Sequence, residues 1–146
     1  EDCLGRQIRF KQELEKLIDV AASKPSNGGV AIDDPRVQEK LGRSITEVEA
    51  MRLVALRSFS RYKNGGERGS DASVVKLYWS HAAQRMYENA LDILSPEAVL
   101  SDNDPLADAG GKFQLSYLQS KAFSIYSGSS GIQRNIIGER LLGLPR

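Results

Sequence analysis

The sequence predicts an all-α fold, an antiparallel up-down helical bundle, on three observations. Apolar residues recur every third or fourth position through most of the chain, the spacing that gathers them on one face of a helix. Strand signals are nearly absent, since no stretch alternates apolar and polar residues between turn residues. The periodic stretches are long, and the breaks between them are short and rich in Gly, Pro, Asp and Ser. Helices joined that way become antiparallel neighbours, each burying one apolar stripe.

The first helix is expected from about Leu4 to Ser23, with Leu14, Leu17, Ile18 and Ala21 on one face. Lys24-Pro25-Ser26-Asn27-Gly28-Gly29 stops it, because Pro and paired Gly make helical continuation costly. Asp34 and Pro35 are a start signal: the carboxylate caps free N–H groups and Pro suits the first helical position. Val37, Leu41, Ile45, Val48, Met51, Ala55 and Phe59 then mark a long second helix that ends near Lys63-Asn64-Gly65-Gly66. A turn over Gly65 to Gly69 leads to a third helix from Ser70 or Asp71. Its buried stripe is Val75, Trp79, Ala82, Met86, Ala90 and Ile93, and Pro96 limits its end. Ser101 to Lys112 reads as a loop. A fourth helix is expected from Phe113 to Tyr126 through Leu115, Leu118, Ala122 and Ile125. After Ser127-Gly128-Ser129 a fifth runs from Ser130 to Leu142, closed by Gly143 and Pro145.

At 146 residues the chain fits one domain, long enough to bury roughly 68–70% of its unfolded surface. Twenty Lys and Arg balance nineteen Asp and Glu, which argues against a nucleic-acid footprint, since that needs clustered positive charge. One cysteine, Cys3, cannot form an internal disulfide and no metal-ligand spacing is present, so a cytoplasmic setting is expected. No apolar run reaches the roughly 18–20 residues that span a bilayer.

Few residues stand out chemically. His81 is the only histidine; nothing local completes a Ser-His-Asp or Cys-His site, and a helix-surface or packing role is the simpler reading. Asp102, Asp104 and Asp108 lack the Gly and Glu spacing of a calcium loop. Arg52, Arg57 and Arg61 alternate with the second helix's apolar stripe and share that helix with Glu47 and Glu49, as a solvated face does. Ser127-Gly128-Ser129-Ser130-Gly131 is more suggestive. Small residues before a helix let a ligand approach the backbone, and the helix N-terminus offers N–H groups to an anion. A plain connector with a Ser cap fits the same residues.

Taken whole, Phe123-Ser-Ile-Tyr-Ser-Gly-Ser-Ser-Gly-Ile-Gln-Arg-Asn-Ile-Ile-Gly-Glu-Arg-Leu-Leu-Gly-Leu-Pro-Arg146 resembles the C-terminus of acyl-CoA dehydrogenases. There a small-residue turn precedes Ile-Gln-Arg and a short apolar helix, and bacterial members often finish in a Leu-Gly-Leu-Pro-Arg type ending. Asp33-Asp34-Pro35-Arg36-Val37 and Ala72-Ser73-Val74-Val75-Lys76-Leu77-Tyr78-Trp79-Ser80 resemble the actinobacterial branch. The resemblance implies that residues 1–146 are one C-terminal helical-bundle domain, a fragment of a longer chain with N-terminal α and middle β domains. It implies an FAD-dependent enzyme that dehydrogenates acyl-CoA thioesters at the α,β position and passes electrons to an electron-transfer acceptor. It also implies a homo- or hetero-oligomer built as a dimer of dimers.

Residue by residue, the resemblance makes Gly128, Ser129, Ser130 and Gly131 the FAD-contacting turn. Ser129 stands for a Thr whose hydroxyl reaches the flavin, and Gly131 for a Glu or Gln. Where the family often shows Gln-Ile-x-Gly-Gly this chain has Asp92-Ile93-Leu94-Ser95-Pro96, and Asn27-Gly28-Gly29-Val30 stands near the missing Arg-x-Phe-Gly signature. Ser127 occupies the usual place of the Glu base, and serine is no base at neutral pH without an activator. Some members carry that Glu on the first bundle helix; its place would fall just upstream of Glu1, with Glu13 and Glu15 open by spacing. A partner chain that supplies the active site is the third alternative.

Overall fold

The computed structural model describes residues 3–65, 71–101 and 104–145, without the side chains of residues 3, 4, 71, 108 and 110. Gly66 to Ser70, Asp102 and Arg146 therefore lie outside the described residues, as do the side chains of Cys3 and Asp108. The architecture is the all-α bundle: α1 (Cys3–Ser23), α2 (Pro35–Lys63), α3 (Asp71–Leu94), α4 (Lys112–Phe123) and α5 (Ser130–Ile136).

Long-range contacts fix the directions. Lys40 near the start of α2 pairs with Asp92 near the end of α3, so these two run antiparallel. The Arg6 guanidinium stacks 4.2 Å over the Trp79 ring, while Lys24 after α1 pairs with Glu97 after α3 at 3.0 Å; α1 and α3 therefore run the same way. Lys76 of α3 donates to the carbonyl of Phe123, at the far end of α4, which sets α4 antiparallel to α3. The core is contributed by Phe10, Leu14, Leu17 and Ala21 of α1, Leu41, Val48 and Met51 of α2, and the whole expected stripe of α3 from Val75 to Ile93. Among the described residues no helix is long and apolar enough to cross a membrane.

Three expectations are corrected. The break after α1 is not devoid of strand: Pro25–Ser26 (β1) and Gly29–Val30 (β2) pair antiparallel. Asn27 and Gly28 both hold positive φ, at 48° and 85°, the signature of an Asn-Gly type I′ turn. In α2, Ile45 and Phe59 leave the buried stripe and are exposed, with Leu53, Leu56 and Tyr62. Twenty-nine residues make α2 roughly 44 Å long at 1.5 Å per residue, so its last turns, with Phe59 and Tyr62, outrun the shorter helices packed on it. Ile45 lies off the buried line of Leu41, Ser44, Val48, Met51 and Ala55.

The fourth helix is corrected more deeply. It ends at Phe123 and faces the core with Phe113, Ser116 and Ser120, while Leu115 and Leu118 are 47% and 60% exposed and Ile125 is exposed too. The serines are short: Ser120 Oγ bonds its own helix at the Tyr117 carbonyl, 2.6 Å away, and Ser116 meets the Tyr87 hydroxyl of α3. That lets α4 lie close against α3, where Gln84 donates to the Ser120 carbonyl at 2.9 Å. A plain apolar count chose the wrong face.

The start of α2 behaves as expected. Asp34 accepts the Arg36 N–H at 2.8 Å and its guanidinium at 2.9 Å, and these bonds hold the Asp34 carboxyl below the ordinary carboxylate range. A depressed carboxyl stabilises the fold at pH above its unfolded value and loses that contribution as pH falls through its folded value. Asp34→Ala is therefore expected to lower the melting temperature by a few degrees at neutral pH and by less in the acid range below about pH 4. Thermal melts at both pH values check this; an equal loss at both would remove the cap's charge from the account.

Candidate functional site

The turn between α4 and α5 is built by its own backbone and by α3 beneath it. Helix α4 closes with the Ile125 and Tyr126 N–H groups both donating to the Ala122 carbonyl at 3.0 Å. Ser127 and Gly128 then take positive φ, 54° and 91°, which reverses the chain. Ser129 caps α5, its hydroxyl accepting from the Ile132 N–H at 3.4 Å. The Ser130 N–H returns to the Ser124 carbonyl at 3.0 Å. Two of the N–H groups that the sequence offered to an anion are thus used inside the turn. Gln133, buried under it, donates from Nε2 to the carbonyls of Ser127 at 3.0 Å and Gly128 at 3.5 Å. Glycine is favoured at Gly128 by its positive φ, and a Cβ there would fall 2.4 Å from Gln133 Nε2, the end of a side chain that would have to shift. At Gly131 a Cβ would meet only Ser129 Oγ at 3.9 Å.

Helix α3 supports the turn at three points. Lys76 donates to the Phe123 carbonyl, Gln84 donates to Ser124 Oγ at 3.1 Å, and His81 Nε2 lies 3.2 Å from Ser130 Oγ. Trp79 packs on Phe123 at 5.1 Å, and Phe123 meets Tyr126 edge-on at 6.0 Å. The Lys76 ammonium sits 5.5 Å from the centre of the Tyr126 ring. His81 thus meets the turn through a contact the sequence did not reveal, because it links residues far apart in the chain. Its ring is held below the ordinary histidine value first by burial and then by the charges of Arg134, Arg85 and Lys76. Those cations oppose an imidazolium, so the Ser130–His81 pair is ill suited to work as a hydrolase nucleophile and base.

The other singled-out residues lie elsewhere. Glu13 is only 3% exposed; one carboxylate oxygen accepts from the Tyr87 hydroxyl, and the other pairs with Arg9 at 2.9 Å and Lys112 at 3.9 Å. Glu15 is on the exposed side of α1 beside Lys11. Ser95 holds φ at 59°, the left-handed backbone that a glycine adopts freely. At Asn27–Val30, where the Arg-x-Phe-Gly signature is missing, stands the hairpin turn. Arg52 is paired with Glu49 at 2.7 Å. The open groove between α2 and α3 is lined by Arg36, Lys40, Arg43 and Arg85 among others, yet Lys40 pairs with Asp92, and Arg43 and Arg85 with Glu47. Among the described residues no three His, Cys, Asp or Glu side chains gather as a metal site.

Residues 3–142 match the family model of the acyl-CoA dehydrogenase C-terminal domain. The chain belongs to the acyl-CoA dehydrogenase family. Within it, this domain is 36% identical over 143 residues to the acyl-CoA dehydrogenase IpdE1 of Mycolicibacterium smegmatis, covering 98% of the chain and 33% of that protein. It is 30% identical over 127 residues to the acyl-CoA dehydrogenase FadE26 of Mycobacterium tuberculosis, covering 85% and 32%. The domain superposes on a chain of the ChsE4–ChsE5 complex from Mycobacterium tuberculosis with a TM-score of 0.86 at 27% identity, covering 96% of this chain and 36% of that one. It spans about a third of the length of the curated relatives it matches. The bundle described above is therefore the family's C-terminal helical domain, and Ser127–Gly131 is its α4–α5 turn.

Proposed function

We propose that this domain is the C-terminal third of a longer cytoplasmic polypeptide, an FAD-dependent acyl-CoA dehydrogenase that dehydrogenates acyl-CoA thioesters at the α,β position and passes electrons to a separate acceptor. The observation that carries the reading is the preformed turn, whose left-handed backbone at Ser127 and Gly128 is locked from below by buried Gln133. The residues present fit FAD in kind. Ser129 and Ser130 supply hydroxyls, Gly131 leaves open space, and Lys76 and Arg134 place positive charge around His81 beside the turn, as a diphosphate requires, while Arg85 is paired with Glu47. In this reading Gly128, Ser129, Ser130 and Gly131 hold part of the flavin's anionic end. When bound, FAD supplies the hydride acceptor for the substrate's β carbon. The chain's own residues orient it, and the exposed Leu115, Leu118 and Ile125 supply contacts between subunits in a homo- or hetero-oligomer built as a dimer of dimers.

A second reading, a non-catalytic subunit of a heteromeric enzyme, is favoured by the residue at the base position. Ser127 is exposed, its carbonyl is taken by Gln133, and a hydroxyl does not remove an α proton at neutral pH. Glu13 does not replace it readily, because both its oxygens are engaged in the core. The full-length polypeptide purified alone is expected to be a yellow oligomer that bleaches anaerobically on addition of a suitable acyl-CoA. Bleaching only after a Glu-bearing partner chain is added would establish the second reading. Colourless protein in both preparations would overturn both.

A further inference from the structure

Of the three side chains that α3 directs at the turn, Lys76 and Gln84 only donate: to the Phe123 carbonyl, the Ser120 carbonyl and Ser124 Oγ, whose own O–H is spent on the Lys121 carbonyl. His81 differs, because it touches a hydroxyl, and a hydroxyl can turn. It is also the one group among them that titrates near neutral pH. With Nδ1 protonated, Nε2 is an acceptor and the Ser130 O–H points inward to it. With Nε2 protonated, as in the other tautomer or in imidazolium, the ring donates and the Ser130 O–H is released to donate elsewhere.

We propose that His81 is a positioning residue for this turn, setting whether the Ser130 hydroxyl donates inward to the ring or outward to an anionic oxygen of a dinucleotide's diphosphate. The proposal rests on reading the turn as part of the FAD site. The charged groups that act on the ring are cationic: Arg134 from α5, and Arg85 and Lys76 from its own helix, with Arg85 partly offset by its pair with Glu47 of α2. Burial first, and these cations second, favour the neutral ring of His81 in the free protein. A diphosphate beside them offsets that field, so binding favours proton uptake by His81 and fixes Nε2 as donor. By linkage, a group whose pKa rises on binding makes binding tighter as pH falls through the interval between its free and bound values.

The expected result is a His81 titration midpoint about one pH unit higher in FAD-loaded than in FAD-free protein, and FAD affinity that tightens about three- to fivefold from pH 8 to pH 6, with the full tenfold of one pH unit reached only below the free midpoint. His81 is the only histidine of these 146 residues, and comparison with His81→Gln assigns its ring signal by NMR. That variant, whose amide can donate but does not titrate, is expected to bind FAD with an affinity flat across the same interval; His81→Leu should bind more weakly and also flat. Flavin-loaded protein in which the midpoint stays put, or a His81→Gln variant that keeps the wild-type pH slope, would overturn the proposal while leaving the FAD reading intact. If the variants do not fold, the wild-type midpoint alone decides. Protein that takes up no FAD at any pH removes the FAD reading, and this proposal with it.

Discussion

Replacing Tyr87 by alanine is expected to destabilise the domain by about 3–5 kcal/mol, the usual cost of deleting a buried aromatic ring. Tyr87 is 1% exposed in the middle of α3, and its ring lies 6.3 Å from Phe10 of α1. Its hydroxyl is the donor that reaches buried Glu13, so the loss has two parts that can be separated. Tyr87→Phe keeps the packing and removes the hydroxyl, leaving a buried carboxylate oxygen without its donor and ending the contact with Ser116; that should cost about 1–3 kcal/mol. Urea denaturation of both variants checks the division, and a Tyr87→Phe variant as stable as the parent would refute it. The same contact predicts a response to alkali. Burial first, then the bond to Glu13, pushes the Tyr87 hydroxyl far above its ordinary value. A raised value means that stability is fully present below the unfolded tyrosine pKa, about 10, and is lost as pH rises above it. Tyr87→Phe should flatten that alkaline loss.

The second large effect is at Gly128. Gly128→Ala is expected to cost about 2–3 kcal/mol and to weaken flavin retention in the full-length protein by at least about tenfold. An L residue is disfavoured at φ 91° by roughly 1–2 kcal/mol. The new methyl would also displace Gln133 Nε2, which gives up its bonds to the Ser127 and Gly128 carbonyls at a further ~1 kcal/mol. Gly131→Ala is the control. Its Cβ has room, and alanine suits a helix better than glycine, so its melting temperature should be equal or slightly higher. Thermal melts and flavin release rates test the pair; a Gly128→Ala protein that melts with the parent would show that Gln133 does not lock the turn.

Much of the bundle was legible because its longest helices carry unbroken apolar stripes. The six expected core positions of α3 are all buried, since a central helix must be apolar where it meets its neighbours. The Asp34-Pro35 start was legible because capping is local chemistry. The face of α4 was not, for its core side is made of serines and its leucines face outward. Composition cannot tell a close-packed small-residue face from a solvated one. The hairpin at Asn27-Gly28 was missed although Asn-Gly is its usual signal, because strands of two residues have no room to alternate.

The turn Ser127–Gly131 was found from its small residues and from the ordered resemblance of Phe123–Arg146 to the family's tail. Both are properties of contiguous sequence. What sits beneath it could not be read that way: the His81 contact spans 49 positions and that of Lys76 spans 47. The sequence by itself determined the helical class, the order of the elements and the family, because periodicity, capping and motif order are written along the chain. The tertiary structure alone decided which groups meet at the turn, that Glu13 is enclosed with Tyr87, and which face of α4 is buried. Those outcomes depend on how helices pack against one another, and packing brings together residues that the sequence keeps far apart.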